Sequence, residues 1–274
     1  MVSDILRLGM AGLGVASTQI LPPISKLPFI KITAAADTRT DAVAKFREQY
    51  NAEGYTSIEE LCASPNVDAV YIATPNSLHA EHAITAAKQK KHIIVEKPMA
   101  MTLAECDAMN EAADKYGVKL LCGHTHSFDP PIRKIREIVK SGELGKLCMI
   151  NTWNYNEFMY RPRMKPELAM TRGVVLNQAP HHVDIVRLIG GGMVRSVRAM
   201  TGIWDPAREW EGSYTCYLEF EDGTPATLIY SGYGFFDTAE LFNWVGEGGQ
   251  HRAPETNLTV RKKLRDVRSA AEEE

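Results

Sequence analysis

Over the first half of the chain, short apolar runs alternate with segments of helical period. Residues 5–11, 30–36, 67–73, 92–98 and 118–123 are too short for helices, and they read as buried strands. Between them, residues 15 onward, 41–50, 57–61, 78–90 and 103–116 read as helices. Pro22 and Pro23 must kink the first of these or end it early, and Ser57 opens the third with a capping-type start. Strands and helices alternating at these spacings predict a doubly wound parallel α/β sheet.

The pattern changes after Pro130-Pro131. A basic helix over 132–141 leads into apparent strands at 147–158, 194–200, 214–220, 226–230 and 240–245, with Asp222-Gly223-Thr224 marking a hairpin turn. This predicts an α+β domain built on an open, mostly antiparallel sheet. One strong helix interrupts it, over 178–188, closed by Gly190-Gly191-Gly192. The expected organisation is one domain at 1–125, a second at 126–249, and a charged tail at 250–274 that is frayed or helical and not catalytic.

The first strand runs into Gly12-Leu13-Gly14-Val15-Ala16-Ser17, a G-x-G-x-x-G fingerprint with serine in the third place. Glycines there let a pyrophosphate approach backbone N–H groups at the N-terminus of the following helix, and serine is small enough for helix–strand packing. The second strand ends in Asp37, 25 positions after Gly12, near the ~20 expected of the carboxylate that binds an adenosine ribose. Such a carboxylate favours NAD; Arg39, two residues on, could hold the 2′-phosphate of NADP. The expected cofactor-binding set is Gly12, Gly14, Val15, Asp37, Arg39, Thr74, Pro75, Asn76, Glu96 and Lys97. The tips Thr74-Pro75-Asn76, Glu96-Lys97-Pro98 and Gly123-His124-Thr125-His126 all follow strands, so they fall at the carboxyl edge where open α/β sheets bind ligands.

Composition narrows the class. With a net charge of -3 and a pI near 6.3, the 274-residue chain is not a general nucleic-acid binder. No run approaches the ~18 apolar residues of a membrane span, and the N-terminal residues do not read as a secretory signal. Cys62, Cys106, Cys122, Cys148 and Cys216 are dispersed and contain no C-x-x-C. That predicts reduced packing thiols in a cytoplasm, and no metal site.

The glycine loop with Asp37, the Thr-Pro-Asn tip, Glu96-Lys97-Pro98, and Asn177-Gln178-Ala179-Pro180-His181-His182-Val183-Asp184 follow one another in the order seen in the glucose–fructose oxidoreductase/inositol dehydrogenase (Gfo/Idh/MocA) family, which the chain resembles from about residue 5 to about residue 245. The resemblance implies a Rossmann domain paired with a larger antiparallel sheet, and a site between them. It also implies a cis Lys97–Pro98 peptide, Lys97 on the reacting hydroxyl, and His181 as acid/base. Two departures stand out. Asn177 replaces the aspartate of the family's D-x-G-x-H-x-x-D pattern and cannot take a proton at neutral pH, leaving Lys97 and His181 as the proton-handling pair and Asn177 to orient. The chain also stops where relatives carry further strands and a closing helix, so the second sheet is expected to be shortened at the C-terminus.

The run from Tyr160-Arg161-Pro162-Arg163 through Thr171-Arg172-Gly173 to His181, with Gly202 to Arg208, looks like the branch of phthalate 4,5-cis-dihydrodiol dehydrogenases. That implies oxidation of a ring cis-diol to a catechol with NAD, or NADP. Arg161, Arg163 and Arg172 suit a carboxylate held by forked hydrogen bonds, and His124 and His126 complete the expected substrate set. The alternatives are the same chemistry on a sugar, sugar nucleotide or inositol, and a non-catalytic dinucleotide-binding sensor. A homo-oligomer formed through the second sheet is expected in each case, with no nucleic-acid or membrane partner.

Overall fold

A computed structural model describes residues 5–160, 173–206, 208–246 and 249–264. Compact units form from residues 1–123 and from residues 124–274.

In the first unit, β1 (Leu6–Ala11), β2 (Ile30–Ala36), β3 (Glu53–Tyr55), β4 (Ala69–Ile72), β5 (His92–Val95) and β6 (Leu120–Cys122) form an all-parallel sheet in the order β3-β2-β1-β4-β5-β6. All four residues of β4 are buried, as a central strand covered on both faces requires. Its side chains alternate. Val70 and Ile72 enter one core, with Leu61 of α3 (Ile58–Ala63), Ala83 and Ala87 of α4 (His79–Lys88) and Met109 of α5 (Leu103–Tyr116). Ala69 and Tyr71 enter the other, with Leu21 of α1 (Val15–Ile24) and Phe46 of α2 (Thr40–Tyr50). Period-two alternation on a sheet clad by helices on both sides gives the doubly wound Rossmann arrangement.

Local chemistry sets the helix ends. Ser57 Oγ accepts from the Glu60 amide at 3.2 Å, and Thr102 with Glu105 forms a full capping box on α5. Helix α1 takes both prolines into its last turn and stops at Ile24, immediately after them. Strand β3 escaped the sequence reading because it is only three residues long.

The second unit opens with α6 (Pro130–Ser141) and builds a mixed sheet, β7 (Ile150–Tyr155), β8 (Val194–Gly202), β9 (Ser213–Phe220) and β10 (Pro225–Ser231), in the order β7-β10-β9-β8. The pairs β10/β9 and β9/β8 are antiparallel, and β7/β10 is parallel. The expected hairpin at Asp222-Gly223-Thr224 joins β9 to β10, with Gly223 at φ +86°. Ile150, Leu218, Leu228 and Tyr230 point from one sheet face into a core with Val174, Val186 and Ile189 of α7 (Val174–Gly190).

Two expected strands are corrected. The run 147–158 contributes only Ile150–Tyr155, because the chain coils into a 3-10 turn at Phe158–Tyr160. No strand forms at 240–245: Asp237 caps a 3-10 turn (Thr238–Phe242) by accepting from the Ala239 amide at 2.9 Å, and Asn243 and Trp244 take positive φ. The tail forms α8 (Thr256–Leu264).

Candidate active site

The first unit presents a dinucleotide cradle. Gly12 has φ +87°, and a Cβ there would lie 2.6 Å from the Ala73 carbonyl, so only glycine fits. A Cβ on Gly14 would meet nothing within 4 Å, which leaves the open space a pyrophosphate needs at the start of α1. No side chain caps that helix, and Val15 in its first turn is 70% exposed. Ser17 does more than pack, since its buried hydroxyl donates to the Gly12 carbonyl at 2.5 Å and ties helix to loop.

Asp37 accepts from the Leu13 amide at 2.7 Å and from the Arg39 amide at 2.9 Å. The Arg39 guanidinium forks onto both carboxylate oxygens at 3.0 Å and also donates to the Leu13 carbonyl. Burial pushes the Asp37 carboxyl up, but the Arg39 fork and the two amides outweigh it and hold the group at about 2. The Asp37 carboxylate is therefore charged and oriented. These residues fit a nicotinamide dinucleotide.

The neighbouring tips are held as firmly. Thr74 Oγ1 lies 3.0 Å from His82 Nδ1, and Asn76 opens a 3-10 turn (Asn76–Leu78) that leads from Pro75 into α4. Glu96 accepts from the Tyr71 hydroxyl and, at 3.2 Å, from the Lys97 amide. Burial and then the Glu96 hydrogen bond raise the Tyr71 phenol, so it remains the donor. The Lys97–Pro98 peptide is cis.

In the second unit the features gather on α7 and on the 3-10 turn Thr125–Phe128. Pro180 inside α7 cannot donate to the Leu176 carbonyl, which loosens the ladder just before His181. The rings of His181 and His126 meet edge-on with centroids 4.5 Å apart, and His126 Nδ1 lies 2.9 Å from Asp129 Oδ2. Asn177 is 1% exposed, and its side-chain oxygen accepts from Gln178. Burial raises the Asp184 carboxyl against the fields of His124 and Arg187. Its Oδ2 is buried without a hydrogen-bond partner among the described residues, as is His124 Nδ1. His182 faces elsewhere: it packs edge-on against the stacked Tyr214 and Tyr230 rings with Nδ1 3.1 Å from the Tyr214 hydroxyl, and burial lowers it to about 4. Arg161, Arg163 and Arg172 lie outside the described residues. No group of three His, Cys, Asp or Glu side chains among the described residues is arranged to hold a metal ion.

Sequence reading missed Tyr71, His79, His82, Asp129 and the Ser17 hydroxyl. A weak signal existed, since Asp129 stands three residues after His126, and His79 and His82 follow the Thr-Pro-Asn tip.

Residues 6–124 match the oxidoreductase family model with an NAD-binding Rossmann fold, and residues 132–250 match the GFO/IDH/MocA C-terminal domain. The chain belongs to the Gfo/Idh/MocA oxidoreductase family. It is a nicotinamide-dependent oxidoreductase with an NAD-binding Rossmann domain. It is 39% identical over 265 residues to the 1-carboxy-3-chloro-3,4-dihydroxycyclohexa-1,5-diene dehydrogenase of Comamonas testosteroni, covering 96% of this chain and 67% of that protein. It is 31% identical to the myo-inositol 2-dehydrogenase of Thermotoga maritima over 71% of this chain and 58% of that one. A solved structure from Bordetella bronchiseptica RB50 superposes with a TM-score of 0.91 at 39% identity, covering 96% of this chain and 70% of that chain. The WlbA dehydrogenase of Bordetella pertussis, solved with NADH and UDP-GlcNAcA, shares the fold at a TM-score of 0.76 and 24% identity, over 86% of this chain and 70% of that one.

Proposed function

We propose that the chain oxidises a secondary alcohol of a cyclic diol bearing a carboxylate, of the aromatic-ring cis-dihydrodiol type and most closely the phthalate 4,5-cis-dihydrodiol type, to a catechol. The observation that carries this reading is the Asp129–His126–His181 array beside Asn177 on α7, in a chain 39% identical to a dehydrogenase of a carboxylated ring diol. NAD, when bound, supplies the hydride acceptor. The protein handles the proton and the orientation. Lys97 hydrogen-bonds the reacting hydroxyl, His181 acts as acid/base with Asp129 orienting the imidazole pair, and Asn177 hydrogen-bonds a substrate oxygen. Histidine titrates near working pH, so it suits the role. Arg161, Arg163 and Arg172 would grip the carboxylates, and His124 lies with Asp184 among the substrate contacts. Here the first domain (1–125) binds cofactor, the second (126–249) binds substrate and assembles subunits, and 250–274 is a tail. The five free cysteines and the lack of a membrane-length apolar helix among the described residues support a cytoplasmic location.

Phthalate dihydrodiol with NAD⁺ or NADP⁺ should reduce the cofactor, at a rate that Arg161→Gln and Arg163→Gln lower through KM. A second reading, a polyol such as an inositol, is favoured by the 31% identity to an inositol dehydrogenase. Turnover of polyols that ignores both arginine changes would establish it. Homo-oligomerisation is assigned to the sheet face opposite α7, where Trp153, Ile229, Thr215 and Met200 form a cross-strand row and Trp153 and Met200 are 61% and 66% exposed. Sedimentation of Met200→Glu as a smaller species than the parent would support that face.

A further inference from the structure

His79, the first residue of α4, is fully buried, and both of its ring nitrogens are engaged. Nδ1 lies 2.9 Å from the Pro98 carbonyl oxygen, and Nε2 lies 2.9 Å from the Thr74 carbonyl oxygen. Carbonyl oxygens only accept hydrogen bonds. A neutral imidazole has one N–H and one lone pair, so either tautomer would turn a lone pair toward a carbonyl oxygen at hydrogen-bond distance. Only a ring protonated on both nitrogens satisfies both contacts.

The two carbonyls belong to the tips of neighbouring strands. Thr74 follows β4, and its amide is among the atoms a Cβ on Gly12 would strike. Pro98 follows β5 and directly succeeds Lys97. A single buried ring therefore joins the segment against the phosphate loop to the segment carrying the lysine. His82, one turn along α4, takes hold of the same Thr74 through its hydroxyl.

We propose that His79 is a positioning residue that locks the Thr74 and Lys97–Pro98 tips together as a buried imidazolium, donating one hydrogen bond to each. The role rests on the assignment of Lys97 to the chemistry above. The carbonyl dipoles supply the negative environment the ring needs, against its placement at a helix N-terminus, which disfavours a cation. The surrounding titratable groups are His82 and Glu81 on α4, Glu59 on α3, both of whose charges act on His82, and Glu96 and Lys97 beside Pro98. Losing either proton removes one of the two contacts and leaves the ring holding a single tip.

The test uses the full chain. Nitrogen–proton NMR of the histidine rings, with His79 assigned by loss of its signals in His79→Phe, should show two ring N–H groups for His79 at pH 7. A single N–H there overturns the proposal. His79→Phe keeps the ring's bulk and removes both donors; it should lower kcat by about 10- to 100-fold, as small misplacements of a reacting group do, while NAD affinity changes less than about threefold. His79→Gln, which still donates, should recover part of the loss. A kcat for His79→Phe within about twofold of the parent overturns the role. If that variant does not fold, assignment through His79→Gln leaves the parent spectrum to decide. Failure of the functional reading looks different: Lys97→Ala would keep its turnover while the His79 spectrum stood.

Discussion

The two units differ in how completely their buried polar groups are paired. In the first, Asp37, Glu96 and His79 each have partners on both sides, and the carboxylates are held by backbone amides and by Arg39 or Tyr71. In the second, Asp184 Oδ2 and His124 Nδ1 are buried without hydrogen-bond partners among the described residues. A satisfied network is rigid, and an unsatisfied buried group costs stability. The contrast fits a division of labour. A dinucleotide is always the same ligand and rewards a finished cradle, whereas the groups that meet a substrate need hydrogen-bonding capacity left over.

The sharpest probe of the contrast is Lys97→Ala. It should cut kcat by about 10²- to 10⁴-fold, the range for a proton-transfer group, with NAD affinity measured by calorimetry falling far less, because Lys97 is one contact among those that the glycine loop and Asp37 supply.

Next in size is acid sensitivity in the second unit. His182 is lowered to about 4 from 6.5, so the unfolded chain binds its proton more readily. Its contribution to stability is present above pH 6.5 and is lost as pH falls toward about 4, by about 2–3 kcal/mol. Urea melts from pH 7 to 4 should show this loss, and His182→Phe should flatten it. An unchanged slope in that variant would remove His182 from the account.

In the first unit, Tyr71→Phe strips Glu96 of a donor and should cost about 1–3 kcal/mol in a denaturant melt. Asp37 works in a lower window. Its folded value of about 2 lies below the ordinary 3.8, so its stabilisation is full above pH 3.8 and disappears as pH falls toward about 2. Because Arg39 is largely exposed, about 1–2 kcal/mol is at stake, and Asp37→Asn should remove that part of the acid transition.

The smallest effect concerns the unpartnered acid of the second unit. Asp184→Asn replaces an acid whose charged form burial opposes, and thermal melts should show a change between zero and a gain of about 1 kcal/mol. Its kcat should nevertheless fall. A clear loss of stability would mean that the second unit is as fully satisfied as the first.

The glycine loop, Asp37 and the Glu96-Lys97-Pro98 tip were legible because their chemistry is local: a turn that only glycine can make, an acid at a strand end, a proline that stops a ladder. The expected strand at 240–245 failed because its apolar residues said nothing of the Asp237 side chain that caps a turn there instead. Adjacent His181 and His182 are alike in sequence, and about 100° of helix rotation sends one to His126 and the other against a stacked pair of tyrosines.

The strand–helix alternation of the first unit apart from β3, the burial of β4 on both faces, and the spacing from Gly12 to Asp37 follow from the sequence alone, because hydrophobic period and turn chemistry act within a few residues of one another. Tertiary structure alone decided the partners. His79 reaches the tips of two strands, Tyr71 meets Glu96 across 25 positions, and His126 finds His181, because packing the sheet and helices brings distant segments to hydrogen-bond range.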